Sequence, residues 1–186
     1  MHTIELFFDE VTDNYIKALW DDIENNDLQG ISVRDIENMS PHITLGVFYN
    51  IEEEEHLIEK FNEYFTYINH DPLILDVPSI GMFPTTGTLF VKPTVTTKLL
   101  TYHKEFHKNF SYYKDNANEY YLPEKWEPHV TLGLNMSNQN ILKAIELIME
   151  DFVPIASEVV KVALVHVDFD GERYLGRRVI QEILLK

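Results

Sequence analysis

The sequence contains one six-residue pattern twice, as Pro41-His42-Ile43-Thr44-Leu45-Gly46 and as Pro128-His129-Val130-Thr131-Leu132-Gly133. Side chains alternate between the two faces of a β-strand, so each histidine shares a face with the threonine two residues later. The β-branched residue and the leucine between them face the other way, into a core. The pattern therefore predicts two strands, each presenting a His-x-Thr pair to one cleft.

The elements around the two copies repeat in the same order of strand, helix, motif strand, helix and strand. Hydrophobic periodicity predicts strands at 3–8, 42–47, 73–83, 88–92, 159–169 and 178–185, with a further strand at the second motif. The predicted helices cover 11–23, 52–65, 95–110 and a segment capped by Ser137 or Asn138, and Asn50 is expected to cap the second of them. The expected buried stripe of the first helix is Val11, Tyr15, Leu19, Trp20 and Ile23, and that of the last is Ile141, Ala144, Ile145, Ile148 and Met149. A turn is expected at Asp170-Gly171.

The length and composition are those of a globular protein with one substantial core. The chain has 186 residues, of which 45% are hydrophobic, and it contains no cysteine. Disulfides, zinc-thiolate sites and cysteine nucleophiles are therefore excluded. No Gly/Ser linker separates the two copies. We expect one domain over 1–186 made of two lobes, about 1–85 and 86–186, and leave open whether they exchange strands.

The charge is strongly negative, with 31 acidic against 15 basic residues and a formal net charge of -16. Proteins that track long nucleic acid neutralise many phosphates with Lys and Arg. The negative charge of this chain repels those phosphates. The expected partner is a small phosphorylated nucleotide or one RNA end, not extended nucleic acid. No signal sequence or long apolar segment is apparent, so we expect a cytoplasmic monomer with no membrane contact.

The residue types in the two motifs suit the cleavage of a phosphodiester. One group must take a proton from the nucleophile and another must give one to the leaving oxygen, and histidine performs either role near neutral pH. His42 and His129 are the candidates for base and acid. The hydroxyls of Thr44 and Thr131 can donate hydrogen bonds to the non-bridging oxygens as negative charge develops on them.

The two motifs, His42/Thr44 and His129/Thr131, resemble those of the 2H phosphoesterase superfamily, which includes 2′-5′ RNA ligase-like proteins and cyclic phosphodiesterases. Looser similarity extends over the first strand, Ile80-Gly81-Met82-Phe83, Leu89-Phe90-Val91, the helix around His103 and the final hairpin. The resemblance implies a bilobal α+β fold with pseudo-two-fold symmetry, in which two mostly antiparallel sheets flanked by helices surround a central cleft. It also implies chemistry without metal or cofactor on 2′,3′-cyclic phosphates or 2′-5′ linkages.

Several other residues are candidates for substrate binding. Phe83, Phe90, Tyr121 and Trp126 are aromatic residues near the motifs, and such rings can stack on a base. Lys92 can supply positive charge to the cleft, with Arg177 and Arg178 as alternatives. His103 and His107 are spaced as a helical metal pair but lack an obvious third ligand, so we expect packing roles for them. His166 is expected to be structural and His2 to lie on the surface.

Three functions fit these observations. The first is hydrolysis of a nucleoside 2′,3′-cyclic phosphate, an RNA end or a related small cyclic phosphodiester. The second is the ligation or 2′-5′ transfer reaction of the same site, which the absence of a nucleotide-activation motif disfavours. The third is a non-catalytic protein that binds a cyclic phosphate, although such a protein has no need of a matched acid and base.

Overall fold

The computed structural model describes residues 1–67, 72–169 and 174–185. Helices separate single strands or groups of strands along the chain. Two short 3-10 helices, Ser111–Asn116 and Glu119–Tyr121, precede the second motif. The other elements are β1 (His2–Phe8), α1 (Glu10–Asn25), β2 (His42–Phe48), α2 (Glu54–Tyr67), β3 (Leu73–Val77), β4 (Ser79–Phe83), β5 (Thr88–Lys92), α3 (Thr97–Asn109), β6 (Val130–Gly133), α4 (Asn138–Met149), β7 (Ile155–Phe169) and β8 (Tyr174–Leu184).

The strands form two antiparallel sheets of unequal size. The larger has the order β2-β1-β7-β3, with β8 also paired to β7, and the smaller has the order β4-β5-β6. The first motif lies on β2 in the larger sheet and the second on β6 in the smaller one. The predicted α+β class, with two antiparallel sheets and flanking helices, is confirmed.

The long strand β7 organises the larger sheet. One of its edges pairs with β1 over Phe8↔Val159 to His2↔His166, and the other pairs first with β3 and then with β8. The C-terminal hairpin therefore joins the sheet of the first motif, while β4 joins the sheet of the second. Strands from both halves of the sequence thus contribute to each sheet. That all 186 residues form a single domain stays a prediction.

The segment 73–83, expected as one irregular strand, is two strands in different sheets. β3 pairs with β7 and β4 pairs with β5, and Pro78 lies between them. Proline has no N–H to donate to a strand ladder, so it suits the point where the chain leaves one sheet for the other.

The helices follow the expected stripes except near their ends. Ser137 caps α4 as predicted, its side chain accepting a hydrogen bond from the Asn140 N–H at 3.1 Å. Val11 and Met149, expected to be buried, are 79% and 66% exposed, because they lie at the first turn of α1 and the end of α4, where the stripe has turned outward. Asn50 does not cap α2, which begins at Glu54. The expected turn at Asp170-Gly171 lies outside the described residues.

The core lies between the sheets and the helices. Ile43 and Leu45 of the first motif are fully buried, and Val130 and Leu132 of the second are 1% exposed. The alternation predicted for both motifs is therefore present. Among the residues described, no helix has the length and apolar character needed to cross a membrane.

Candidate active site

The two motif strands lie beside each other although they belong to different sheets. His42 opens β2 and His129 immediately precedes β6, and each is half-buried together with its threonine. The core holds the intervening apolar residues on the opposite face. The fold therefore places the two His-x-Thr pairs predicted from sequence next to one another.

Both imidazole rings are held in the same way by their own chain. His42 Nδ1 lies 2.7 Å from the Ser40 carbonyl oxygen, and His129 Nδ1 lies 2.7 Å from that of Glu127. A carbonyl oxygen only accepts, so each Nδ1 carries the hydrogen. In the neutral ring Nε2 is then the basic nitrogen, free to take a proton. The matched acceptors two residues before each histidine therefore hold both rings in the same tautomer and in the same local orientation.

The electrostatic environment keeps both rings neutral more readily than in water. Burial lowers the pKa of His42, an effect that the Glu5 carboxylate opposes and the Arg177 guanidinium reinforces. Burial also lowers the pKa of His129, and a positive charge on His42 lowers it further. This coupling means that protonation of one ring disfavours protonation of the other, which suits a pair working as one base and one acid.

Two tryptophans support the motif strands in a reciprocal arrangement. Trp20 of α1 donates its indole N–H to the Thr131 carbonyl oxygen at 2.9 Å, and Trp126 donates to that of Thr44, also at 2.9 Å. Each indole thus comes from one half of the sequence and holds the motif of the other half. Because each bonded carbonyl belongs to a motif threonine, the two indoles help to set the positions of the threonine side chains.

The helical histidines also support the first motif. The Nε2 atoms of His103 and His107 lie 3.1 and 3.3 Å from the Leu45 carbonyl oxygen. His103 is 1% exposed, and its ring stacks on Trp126 with centroids 3.8 Å apart. Burial lowers the pKa of His103 to about 3. The pair therefore packs as neutral rings behind β2, consistent with the packing role expected for it.

A buried ion pair lies beside His42. The Arg177 guanidinium donates to the Glu5 carboxylate and to the Asn38 carbonyl, and Glu5 and Arg177 are 2% and 6% exposed. The other Glu5 oxygen accepts from the Thr3 hydroxyl at 2.7 Å and lies 3.7 Å from His42 Nε2. Glu5 can therefore favour the protonated form of His42, while Arg177 offsets the carboxylate's charge.

Aromatic rings take the corresponding place beside His129. The ring of Phe83 meets it edge-on at 5.2 Å between centroids, and that of Phe90 lies 5.1 Å away. Phe90 is the cross-strand partner of both Gly81 and Thr131. A Cβ at Gly81 would come within 2.4 Å of the Phe90 ring, so glycine is needed for this ring to lie over the strand. Half-buried Phe83 is the more accessible of the two rings.

The remaining predicted binding residues are placed unequally. Lys92 pairs with the Glu127 carboxylate, so it lies close to His129 with its charge already matched. Trp126 is 8% exposed, donates its indole N–H to the Thr44 carbonyl and stacks on His103. It therefore supports the motif strand and does not offer an open surface on which a base could stack. Tyr121 is half-buried and packs against the core. Arg178 lies 3.6 Å from Glu54.

Glu5 and the contact made by Trp20 were not predicted from the sequence. Glu5 is the one charged residue within the otherwise apolar run Ile4 to Phe8, and a charge at such a position must find a partner when buried. That feature is visible in the sequence. The partner, Arg177, is not, because it lies 172 residues away along the chain.

The fold and the paired motifs define a class of protein, the two-histidine phosphoesterases. The family model described as the 2′-5′ RNA ligase superfamily matches residues 12–171, and the chain belongs to that family. Among curated proteins, no sequence matches the chain significantly.

Solved structures agree on the fold at low sequence identity. E. coli LigT complexed with 3′-AMP is 12% identical, with a TM-score of 0.60 over 99% of this chain and 97% of its own. TT0787 of Thermus thermophilus is 15% identical, with a TM-score of 0.61 over 99% of this chain and 97% of its own. A further structure described as a phosphoesterase is 12% identical, with a TM-score of 0.61 and coverage of 99% and 97%.

Proposed function

We propose that this protein is a cytoplasmic, metal-independent phosphodiesterase that opens 2′,3′-cyclic phosphates of nucleotides or RNA ends. The observation that carries the proposal is the matched pair of imidazoles, each with Nδ1 bonded to a carbonyl and Nε2 left for proton transfer. The contact between the two motif strands, β2 and β6, supports a substrate shared by both rings.

In the proposed reaction one histidine takes a proton from a water molecule whose oxygen attacks phosphorus. The bond from phosphorus to the ribose O3′ breaks, and the other histidine gives that oxygen a proton, which leaves a 2′-phosphate. The Thr44 and Thr131 hydroxyls donate hydrogen bonds to the non-bridging oxygens as their charge grows. At the end of the reaction the base histidine has gained a proton and the acid histidine has lost one. Proton exchange with water restores both.

The proposed substrate is small. The formal net charge of -16 opposes binding to a long polyanion. LigT, which shares the fold, has been crystallised with 3′-AMP and with NADP⁺. We therefore assign the cleft to a mononucleotide, a related small cyclic phosphodiester or a single RNA end, with half-buried Phe83 beside the base.

The test is turnover of 2′,3′-cyclic AMP by the purified protein in the presence of EDTA. His42→Ala and His129→Ala are each expected to lower kcat at least about 100-fold, because each removes a general acid or base. His56→Ala, which changes a histidine that bonds Tyr113 away from the motifs, is the matched control and should leave kcat unchanged.

Product analysis separates the alternatives. A 2′-phosphate product supports hydrolysis. If RNA ends offered as substrate are joined instead, the activity is ligation. Tight binding of the cyclic phosphate without turnover would identify a non-catalytic binding protein. Near-normal kcat in both histidine variants would reject the two-histidine mechanism.

A further inference from the structure

A second cluster of chemically active side chains lies at the other end of β1. His2 of β1 and His166 of β7 are direct cross-strand partners, and their rings meet edge-on with centroids 4.8 Å apart. Glu54, the first residue of α2, reaches the same point. His2 is 5% exposed, which corrects the expectation that it lies on the surface.

Three potential ligand atoms converge in this cluster. His2 Nε2 lies 3.0 Å from Glu54 Oε2 and 3.3 Å from His166 Nδ1, and His166 Nδ1 lies 3.9 Å from the same carboxylate oxygen. Ligands bound tetrahedrally at zinc distances are separated by about 3.3 Å. The three atoms therefore have nearly the spacing of three corners of a zinc coordination tetrahedron.

Hydrogen bonding outside the cluster prepares His166 as a ligand. Its Nε2 lies 3.1 Å from Asp168 Oδ1, and a carboxylate accepts, so Nε2 carries the hydrogen in the neutral ring. Its Nδ1 lone pair then points at His2 and Glu54. A carboxylate that accepts from the far nitrogen of a histidine is the usual support of a metal-bound imidazole.

The contacts within the cluster are poorly satisfied by hydrogen bonds alone. Among the residues that the structure describes, His2 Nδ1 is buried without a hydrogen-bond partner, and His2 Nε2 is the ring nitrogen that faces Glu54 and His166. One hydrogen on that Nε2 can be donated to Glu54 or to His166, but not to both. A cation at the point where the three atoms meet satisfies all of them together.

From this geometry we infer that His2, Glu54 and His166 form a binding site for a divalent metal ion of the zinc type. Two imidazoles and one carboxylate are a donor set that zinc accepts, with the fourth position left to water. The ion ties the start of α2 to the β1–β7 pair. Its role is to stabilise this end of the fold.

The site is separate from the phosphodiesterase cleft. His2 shares a face of β1 with Ile4 and Leu6, while Glu5 and Phe7 point to the opposite face. Phe7 contacts His42 on that opposite face, with centroids 5.8 Å apart. Catalysis as proposed above therefore neither requires this ion nor depends on this inference.

The experiment is titration of the EDTA-treated, tag-free protein with ZnCl2 by isothermal calorimetry, with thermal melting in parallel. One equivalent of Zn²⁺ should bind per chain and raise Tm, because an ion that binds only the folded state stabilises it. Glu54→Gln and His166→Gln should abolish both effects, and Asp168→Asn should weaken binding about 10- to 100-fold.

Matched controls identify the site. Glu55→Gln changes the next, exposed residue of the same helix, and His56→Gln changes a nearby histidine outside the cluster, so both should bind zinc like the wild type. Arg178→Gln should tighten binding, because the Arg178 guanidinium lies 3.6 Å from Glu54 and competes for its charge.

The inference is overturned if no stoichiometric zinc binding is found, or if binding survives both Glu54→Gln and His166→Gln. If zinc binding is lost in a His42→Ala/His129→Ala double variant but kept in Glu54→Gln and His166→Gln, the ion lies in the cleft. That result also overturns the inference. Cyclic phosphate turnover, measured with and without EDTA, tests the proposed function independently of these results.

Discussion

The two motif strands share a sequence pattern but differ in what surrounds their histidines. His42 lies beside a buried ion pair, Glu5 with Arg177, whereas His129 lies against the rings of Phe83 and Phe90. The supports behind the strands, by contrast, are alike, since each motif threonine carbonyl accepts from a tryptophan. The difference teaches that the repeat keeps the positions of the two histidines while their electrostatic surroundings are free to differ.

The largest effect should follow from breaking the ion pair beside His42. Arg177→Met leaves the Glu5 carboxylate buried without its partner, and such losses cost about 3–5 kcal/mol of unfolding free energy. Urea denaturation measures it. Adding Glu5→Leu should recover most of the loss, because the uncompensated charge is then removed. If the free energy of unfolding of Arg177→Met alone lies within about 1 kcal/mol of the wild-type value, the pair does not have this role.

Removing the indole N–H of either tryptophan should have an equal effect, because each one supports one motif strand in the same way. Trp20→Phe and Trp126→Phe each remove an indole N–H and leave a threonine carbonyl without its donor, at a cost of about 1–3 kcal/mol each. Both should also lower kcat, since they loosen the strands that carry the threonines. Stability comes from urea denaturation and kcat from the cyclic phosphate assay. Loss of activity in one variant alone would show that the symmetry of the supports has no functional meaning.

His103, the neutral histidine behind the first motif, should make the free energy of unfolding fall as the pH is lowered. His103, with its pKa lowered to about 3, stays neutral in the folded state while the unfolded chain takes up a proton below about pH 6.5. His103 alone therefore lowers the free energy of unfolding by about 1.4 kcal/mol for each pH unit as the pH falls from about 6.5 towards 3.

The comparison is between wild type and His103→Asn by urea denaturation at several pH values. The variant should lose stability less steeply in this range, whatever its absolute stability at pH 7. Equal slopes would show that His103 is not the group taking up the proton on unfolding.

The smallest expected effect is a displacement of one limb of the pH-rate profile. Glu5→Gln also breaks the buried pair, so it costs stability as Arg177→Met does, and the rate profile is measured where the variant stays folded. There the substitution removes a negative charge beside His42 and leaves Arg177 unbalanced, and both changes lower the pKa of His42. The limb that belongs to His42 should move to lower pH, while Phe83→Leu, beside His129, should leave that limb in place.

The identity of the moving limb assigns the roles. Movement of the acidic limb would make His42 the base, and movement of the alkaline limb would make it the acid. An unchanged profile for Glu5→Gln would show that Glu5 does not act on His42.

Most of the fold and the core of the candidate site were predictable from local sequence. The alternation in Pro41–Gly46 and Pro128–Gly133 predicts both motif strands and the faces of their side chains, because strand periodicity needs only neighbouring residues. Predictions were wrong where a local pattern meets a boundary, as at Val11, Met149 and Asn50. At 73–83 a single apolar run covers two sheets, and hydrophobicity alone does not distinguish them.

By itself, the sequence determined the two His-x-Thr pairs, the class of fold and the family to which the chain belongs. Only the tertiary structure decided that Glu5 meets Arg177, that Trp20 supports Thr131 and that His2 faces His166, pairs 172, 111 and 164 residues apart. The physical reason is that the register of antiparallel strands and the packing of helices between sheets set such contacts. Neither leaves a periodic signal in the residues concerned.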